Sequence, residues 1–472
     1  MAMRPLLLLP EMLLFVGGLA ALISGSFLPR ERQWVSRLVA AAALVACVVA
    51  AMIGLTSTAQ TAFEGTFSVD TPTGVARIVA AVGTLIVLSL AVDEITGSPR
   101  ESETYALLLF STTGTLMLAG ADDLLVLAVG FLLTSIPLYG LIGLRRTPAG
   151  AEAAMKTYLL GALFGILLLS GVTVLYGITG TTSYAALPDL LIDAPTGAMA
   201  AGVIGVLAGL MFKAGAVPGH FWIPDAAQGA GGAVAAFLTT VPKIGAVIAT
   251  YRLVDMLPGT LNWPLLIAIL AVASMTLGNL AAYWQTDPRR LLGWSTVSQV
   301  GYLLVPVAVA GRSDSALPSL LLYVAGYTLT NLAAFSVTTA LPQRRTLESY
   351  GRLARAQPML AAALVISLLG LVGTPPTIVF VGKLTIASAA WDGGLAWLAV
   401  AVFANTLISL FYYLRWIVPV FKSDADASPP RADEGASSSP RPASSVVAVV
   451  AALGSLAMGI CAGLLLSLLT GT

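Results

Sequence analysis

Apolar stretches of about twenty residues, separated by short polar connections, recur from one end of this 472-residue chain to the other. They begin near residues 5, 34, 73, 103, 122, 153, 195, 233, 261, 291, 317, 358, 395 and 445. That spacing predicts about fourteen spans, each long enough for a hydrocarbon core of roughly 30 Å. Within each stretch the apolar residues run continuously instead of alternating, so the spans are helices and not strands of a barrel. Helices and closed barrels are the arrangements that satisfy their own backbone hydrogen bonds inside a bilayer. The predicted fold class is therefore an all-α polytopic membrane protein.

The connections set the expected orientation. Counted from the N-terminus, odd-numbered connections carry Arg30 and Arg32, Arg100, Arg145 and Arg146, Arg289 and Arg290, then Arg344, Arg345, Arg352 and Arg355. Even-numbered ones, such as "TAFEGTFSVD", "AGADD" and "TTSYAALPDLLIDAP", are poor in basic residues. Basic residues stay on the inner side, so both termini are expected on the outer side of the membrane. The first run holds Glu11 and is too long for a signal-peptide core, which makes it a retained span. Residues 422–444, rich in Pro, Ser and Ala with mixed charge, read as a disordered inner-side linker before a last helix at 445–472.

Composition narrows the chemistry. With 57% hydrophobic residues, 10% charged and a net charge of +1, the chain has no basic surface for nucleic acid. Cys47 and Cys461 lie in separate apolar runs without a CxxC or Cys/His cluster, leaving no framework for a disulfide, zinc or an iron–sulfur centre. Of five lysines, Lys213, Lys243 and Lys383 sit well inside predicted spans, where a lysine costs about 2.5–3.5 kcal/mol on insertion scales. Arginine occupies the connections instead. An ammonium group can give up its proton in dry surroundings and a guanidinium does not, so the three lysines are candidate proton carriers. Lys156, near the inner end of its span, either snorkels to the interface or joins that set.

Two of these lysines stand beside helix breakers. Gly215, Pro218 and Gly219 follow Lys213, and Pro375 and Pro376 precede Lys383. A broken helix in each half of a transporter points to paired inverted repeats around a midplane site. The expected division is an N-terminal three-helix segment, residues 1–100, then repeats of five helices each at 101–257 and 258–421. His220, the chain's one histidine, lies just past the first break and reads either as a proton relay or as a polar cap on freed backbone groups. Asp225 in "WIPD" is expected to cap the turn that follows.

The segments "MFKAGAVPGHFWIPD", "AFLTTVPKIGA", "RRLLGWSTVSQVGYLL", "AGYTLTNLAAFSV" and "GTPPTIVFVGK" resemble the antiporter-like proton-translocating membrane subunits of bacterial respiratory complex I, and the likeness extends over nearly the whole chain. The resemblance implies that Lys213 carries the proton on the input side, Lys243 links toward the membrane centre and Lys383 serves the output side. It implies a bacterial plasma-membrane location and no cofactor on this chain. NADH, FMN, iron–sulfur clusters and quinone would be held by partner subunits, both membrane and hydrophilic, with the quinone pool reached indirectly. No nicotinamide or flavin fingerprint is present.

The chain also departs from the family's pattern. A glutamate expected on the fifth helix, as partner of the Lys213 position, is replaced at Leu132 within "GFLL", and Gln228, Gly231, Ala233 and Gln299 differ as well. Asp122 and Asp123 lie at the far end of that helix, while Thr134, Ser135 and Tyr139 could hold water there or simply pack. Two other readings share the lysine pattern: a subunit of a multi-subunit sodium/proton antiporter, and a structural homologue that does not pump.

Overall fold

The computed structural model describes residues 3–422 and 439–470. Its helices are α1 (Leu9–Phe27), α2 (Trp34–Leu55), α3 (Thr71–Ile95), α4 (Glu101–Gly120), α5 (Leu124–Gly143), α6 (Pro148–Thr179), α7 (Leu187–Ile192), α8 (Thr196–Ala214), α9 (Trp222–Gly229) and α10 (Gly232–Asp255). They continue as α11 (Trp263–Ala282), α12 (Pro288–Val307), α13 (Ala316–Ala340), α14 (Leu353–Ala356), α15 (Pro358–Val372), α16 (Ile378–Asp392), α17 (Ala396–Val420), α18 (Pro442–Ile460) and α19 (Ala462–Thr470). Eleven helices among the described residues are long and apolar enough to cross a membrane. The expected count would need α4, α12 and the α15–α16 pair to cross as well.

Two local expectations change. A small antiparallel hairpin, β1 (Gln60–Ala62) with β2 (Phe67–Val69), closes the connection between α2 and α3, with Thr61 opposite Ser68. The last long helix begins at Pro442, so residues 442–444 of the expected linker are helical. Residues 423–438 of that linker lie outside the described residues.

Helix α10, which carries Lys243, is buried along nearly its whole length, and α3 grips it at both ends. At its N-terminus the Ncap position is Gly231, which has no side chain to offer the first free N–H groups. Glu94 of α3 supplies the acceptor instead, taking the N–H of Gly232 at 3.0 Å and of Ala233 at 2.9 Å, with its charge at the positive end of the helix dipole. At the C-terminus, Arg252 donates to both oxygens of Asp70, the Ncap residue of α3, at 2.6 and 2.8 Å. The neighbouring Asp93 accepts from the backbone N–H and hydroxyl of Ser444, both at 2.7 Å, which fastens the start of α18 to the same helix. Glu11 is neutralised in the same manner, its carboxylate taking Nε and Nη2 of Arg77 of α3 at 2.8 Å each.

Burial pushes the Asp70 carboxyl up, but the Arg252 guanidinium and the hydrogen bonds from Arg252 and Thr73 outweigh it and hold the group below its ordinary value of 3.8. A carboxyl lowered on folding adds stability above its unfolded value of about 4 and loses that contribution as pH falls through the folded value. Asp70→Asn should therefore lower the melting temperature at neutral pH, at a cost of about 1–3 kcal/mol. The gap between variant and wild type should shrink in melts taken below about pH 4.

Candidate functional site: three buried lysines at two helix breaks

Both breaks use the same local device. Helix α8 ends one residue after Lys213, and Gly215 then turns left-handed with φ 87°, a conformation that suits glycine because it has no Cβ. Val217–Pro218 follows as a cis peptide bond. In the other half α15 ends at Val372, Gly373 turns with φ 90°, and Pro375–Pro376 is cis. Each break is thus a left-handed glycine followed three residues later by a cis proline.

The two broken helices start at opposite ends of the bundle. Met199 of α8 lies beside Thr260, where α10 finishes. The approach to α15 lies by Leu347, whose N–H bonds Thr286 between α11 and α12.

The freed backbone groups find specific partners. Gly215 and Ala216 N–H both bond the Met211 carbonyl, Val217 N–H donates to Ser274 Oγ of α11 at 2.9 Å, and Trp222 Nε1 donates to the Phe212 carbonyl at 3.0 Å. At the second break, Lys383 reaches back from α16 and donates to the Val372 carbonyl at 2.9 Å and the Leu371 carbonyl at 3.4 Å. Its ammonium therefore sits at the carbonyl end of α15, where the helix dipole is negative.

The three lysines are 1–3% exposed, and none forms an ion pair among the described residues. Each instead faces an aromatic ring. Nζ lies 5.2 Å from the Phe131 centroid for Lys213, 5.3 Å from Trp222 for Lys243 and 4.0 Å from Tyr302 for Lys383. Lys243 also comes close to the first break, since a Cβ added at Gly215 would lie 3.3 Å from its Nζ. The Nζ atoms of Lys213 and Lys243 have no hydrogen-bond partner among the described residues.

A chain of buried polar groups runs from Lys243 toward Lys383. Thr239 is one turn from Lys243 on the same face of α10. Tyr327 Oη donates to the Thr239 carbonyl at 2.7 Å and lies 3.2 Å from Thr296 Oγ1, and Asn331 Nδ2 donates to Thr239 Oγ1 at 3.1 Å. One turn along α12 from Thr296, Gln299 accepts from Tyr323 Oη at 2.5 Å and donates to the Leu371 carbonyl at 2.9 Å, the oxygen that Lys383 also approaches.

Other candidates fall elsewhere. His220 is buried with its ring against Phe221 and Trp294, while the backbone groups released by the break are taken by Ser274 and Trp222. Asp225 does not cap a turn. It lies in the first turn of α9 and pairs with Lys156 at 2.9 Å and Arg290 at 2.5 Å. Lys156 is held there, half-exposed, by Asp225 and Glu152. Asp123 caps α5 through the N–H groups of Leu125 and Val126, and Asp122 accepts from the Ser68 hydroxyl at the hairpin. Ser135 bonds back to the Phe131 carbonyl, and Thr134 meets Ser111 of α4.

Contrary to expectation, Leu132 does not face Lys213. It is 40% exposed on the outer side of α5, and the neighbouring Phe131 stands over the ammonium. No group of three or more His, Cys, Asp or Glu is placed to hold a metal among the described residues.

Comparison with known proteins adds three findings. Residues 121–409, more than half of the chain, match a family model described as "NADH:quinone oxidoreductase/Mrp antiporter, TM". NADH-quinone oxidoreductase subunit N of Mycobacterium sp. (strain JLS) is 63% identical over 99% of both chains, and subunit N 1 of Streptomyces griseus is 48% identical over 98% of both. A chain in the solved structure of respiratory complex I from Thermus thermophilus with bound aureothin superposes with a TM-score of 0.81 at 29% identity, covering 97% of this chain and 98% of that one.

The first break gives a stability test. Trp222→Phe keeps a ring beside Lys243 but strands the Phe212 carbonyl, at a cost of about 1–3 kcal/mol. Trp222→Leu also loses the cation–π contact, so melting temperatures should fall further for Leu than for Phe; equal losses would remove the ring from the account.

Proposed function

Because the chain belongs to the NADH:quinone oxidoreductase/Mrp antiporter transmembrane family, on its subunit N branch, we propose that Lys213, Lys243 and Lys383 carry protons through it. It is a proton-translocating, multi-pass membrane subunit of NADH-quinone oxidoreductase, working with other subunits of that complex. The observation that carries the residue assignment is that three interior ammonium groups lie at or between two helix breaks without carboxylate partners among the described residues. Intramembrane ionisable groups are costly and mark ion pathways.

In this reading the breaks connect to opposite sides of the membrane, and residues 101–257 and 258–421 form the paired repeats. Both termini face outward. Electron transfer from NADH through FMN and iron–sulfur clusters to quinone takes place on partner subunits and perturbs the charge at one lysine. That change biases the next along the chain of Thr239, Tyr327, Thr296 and Gln299. A proton on Lys383 is drawn to the carbonyl end of α15, and its loss weakens that attraction. Each charge moved against the potential requires about 2.3 kcal/mol per 100 mV.

A non-pumping role is the second reading, favoured by Phe131 standing over Lys213 where the resemblance expects a carboxylate partner. In sealed vesicles containing the assembled complex, Lys243→Ala should cut NADH-driven proton transport by about two orders of magnitude, the scale of a lost proton-transfer group. Unchanged transport at normal assembly would favour the non-pumping reading. Sodium-coupled proton flux without quinone reduction would favour an antiporter.

A further inference from the structure

Where α3 and α5 finish and α4, α10 and α18 begin, a cavity of about 290 Å³ opens between the helices. Its wall is apolar at Ile95, Leu141 and Leu144, and its rim carries Arg100, Arg145 and Arg441. Glu94 also borders it, but that carboxylate is already engaged by the start of α10 and by Arg441 at 3.2 Å. Arg145 donates one bond to the Ala230 carbonyl at 3.2 Å. Arg100 is exposed, and its guanidinium has no partner among the described residues.

Three guanidinium groups against one committed carboxylate leave a net positive charge directly above an apolar wall. Guanidinium forks match phosphate oxygens in pairs. The arginine distribution makes this the inner end of the bundle, where the leaflet is anionic and basic pockets between helices hold lipid headgroups. The volume of about 290 Å³ falls just under the roughly 300–1,000 Å³ of small-ligand clefts, room for a headgroup and not for a whole lipid. The apolar wall of Ile95, Leu141 and Leu144 beneath the arginines gives the first part of an acyl chain a surface to lie against.

We propose that this cavity is a binding site for the phosphate of an anionic phospholipid, held by Arg100, Arg145 and Arg441. Its occupant ties together the starts of α10 and α18, the same elements that Asp93 and Glu94 fasten to α3.

The test uses the assembled oxidoreductase in nanodiscs doped with a photoactivatable phosphatidylglycerol, with cross-links located by peptide mass spectrometry. Cross-links should fall on the peptides holding Leu141 and Leu144. Arg100→Gln should reduce them about five-fold, the effect of one basic residue near an anionic surface. Arg100→Lys should retain most of the labelling, and Arg32→Gln, an exposed arginine of another inner connection, should retain all of it. Millimolar inorganic phosphate should not compete.

Labelling unchanged in an assembled Arg100→Gln complex would overturn the proposal, as would an equal loss in Arg32→Gln or equal labelling by a phosphatidylcholine probe. Suppression by phosphate would replace the lipid with a soluble anion.

Discussion

An ammonium group in the interior of a bilayer must be surrounded by something better than hydrocarbon, and much of this architecture follows from that demand. Lys213, Lys243 and Lys383 each meet it with an aromatic face. A cation–π contact supplies about 0.5–2 kcal/mol, less than the roughly 2.5–3.5 kcal/mol cost of insertion. Lys383 draws the difference from backbone freed at a helix break, whereas Lys213 and Lys243 stand beside the first break with no hydrogen-bond partner among the described residues. Lys383 makes the link explicit by donating to the last carbonyls of α15. Rings at all three lysines, and carbonyls at Lys383, stabilise the charge without supplying a counter-ion, an arrangement that fits the proposed proton exchange.

A broken helix is a weak mechanical element, so its surroundings have to be firm. Helix α10 sets Lys243 beside the first break and Thr239 at the start of the polar chain, and it is held at each end by α3, through Glu94 at the start and Asp70 at the finish. The same α3 end holds α18 through Asp93. The charged residues of α3 therefore do structural work at its ends, while the lysines occupy the middle. Among the described residues, paired charges lie near the ends of α3 and the lysines without ion pairs lie deeper in the bundle.

Much of this was legible in the sequence because it depends on composition and local chemistry. Continuous apolar runs give helices, lysine inside them stands out against arginine outside, and Gly–Pro clusters mark the breaks. What depends on helical phase or distant contact was not. Residues 131 and 132 are adjacent in sequence but about 100° apart around α5, and only packing decides that Phe131 meets Lys213 while Leu132 turns outward. Glu94 caps a helix that begins far along the chain, and no local signal announces a borrowed cap. Asp225 looked like a turn cap from its neighbours, yet its partners Lys156 and Arg290 come from α6 and α12. The aromatic partner of Lys243 was visible in "HFWIPD", but a tryptophan among apolar residues reads first as packing.

The central claim is that these lysines exchange protons and are not fixed positive charges. Lysine-to-arginine substitution separates the two, because a guanidinium keeps the charge and the cation–π contact but stays protonated. The decisive measurement is NADH-driven proton transport in sealed vesicles by an assembled Lys243→Arg complex. Transport as low as that of the alanine variant is the predicted result; transport restored to wild-type rates would contradict the account.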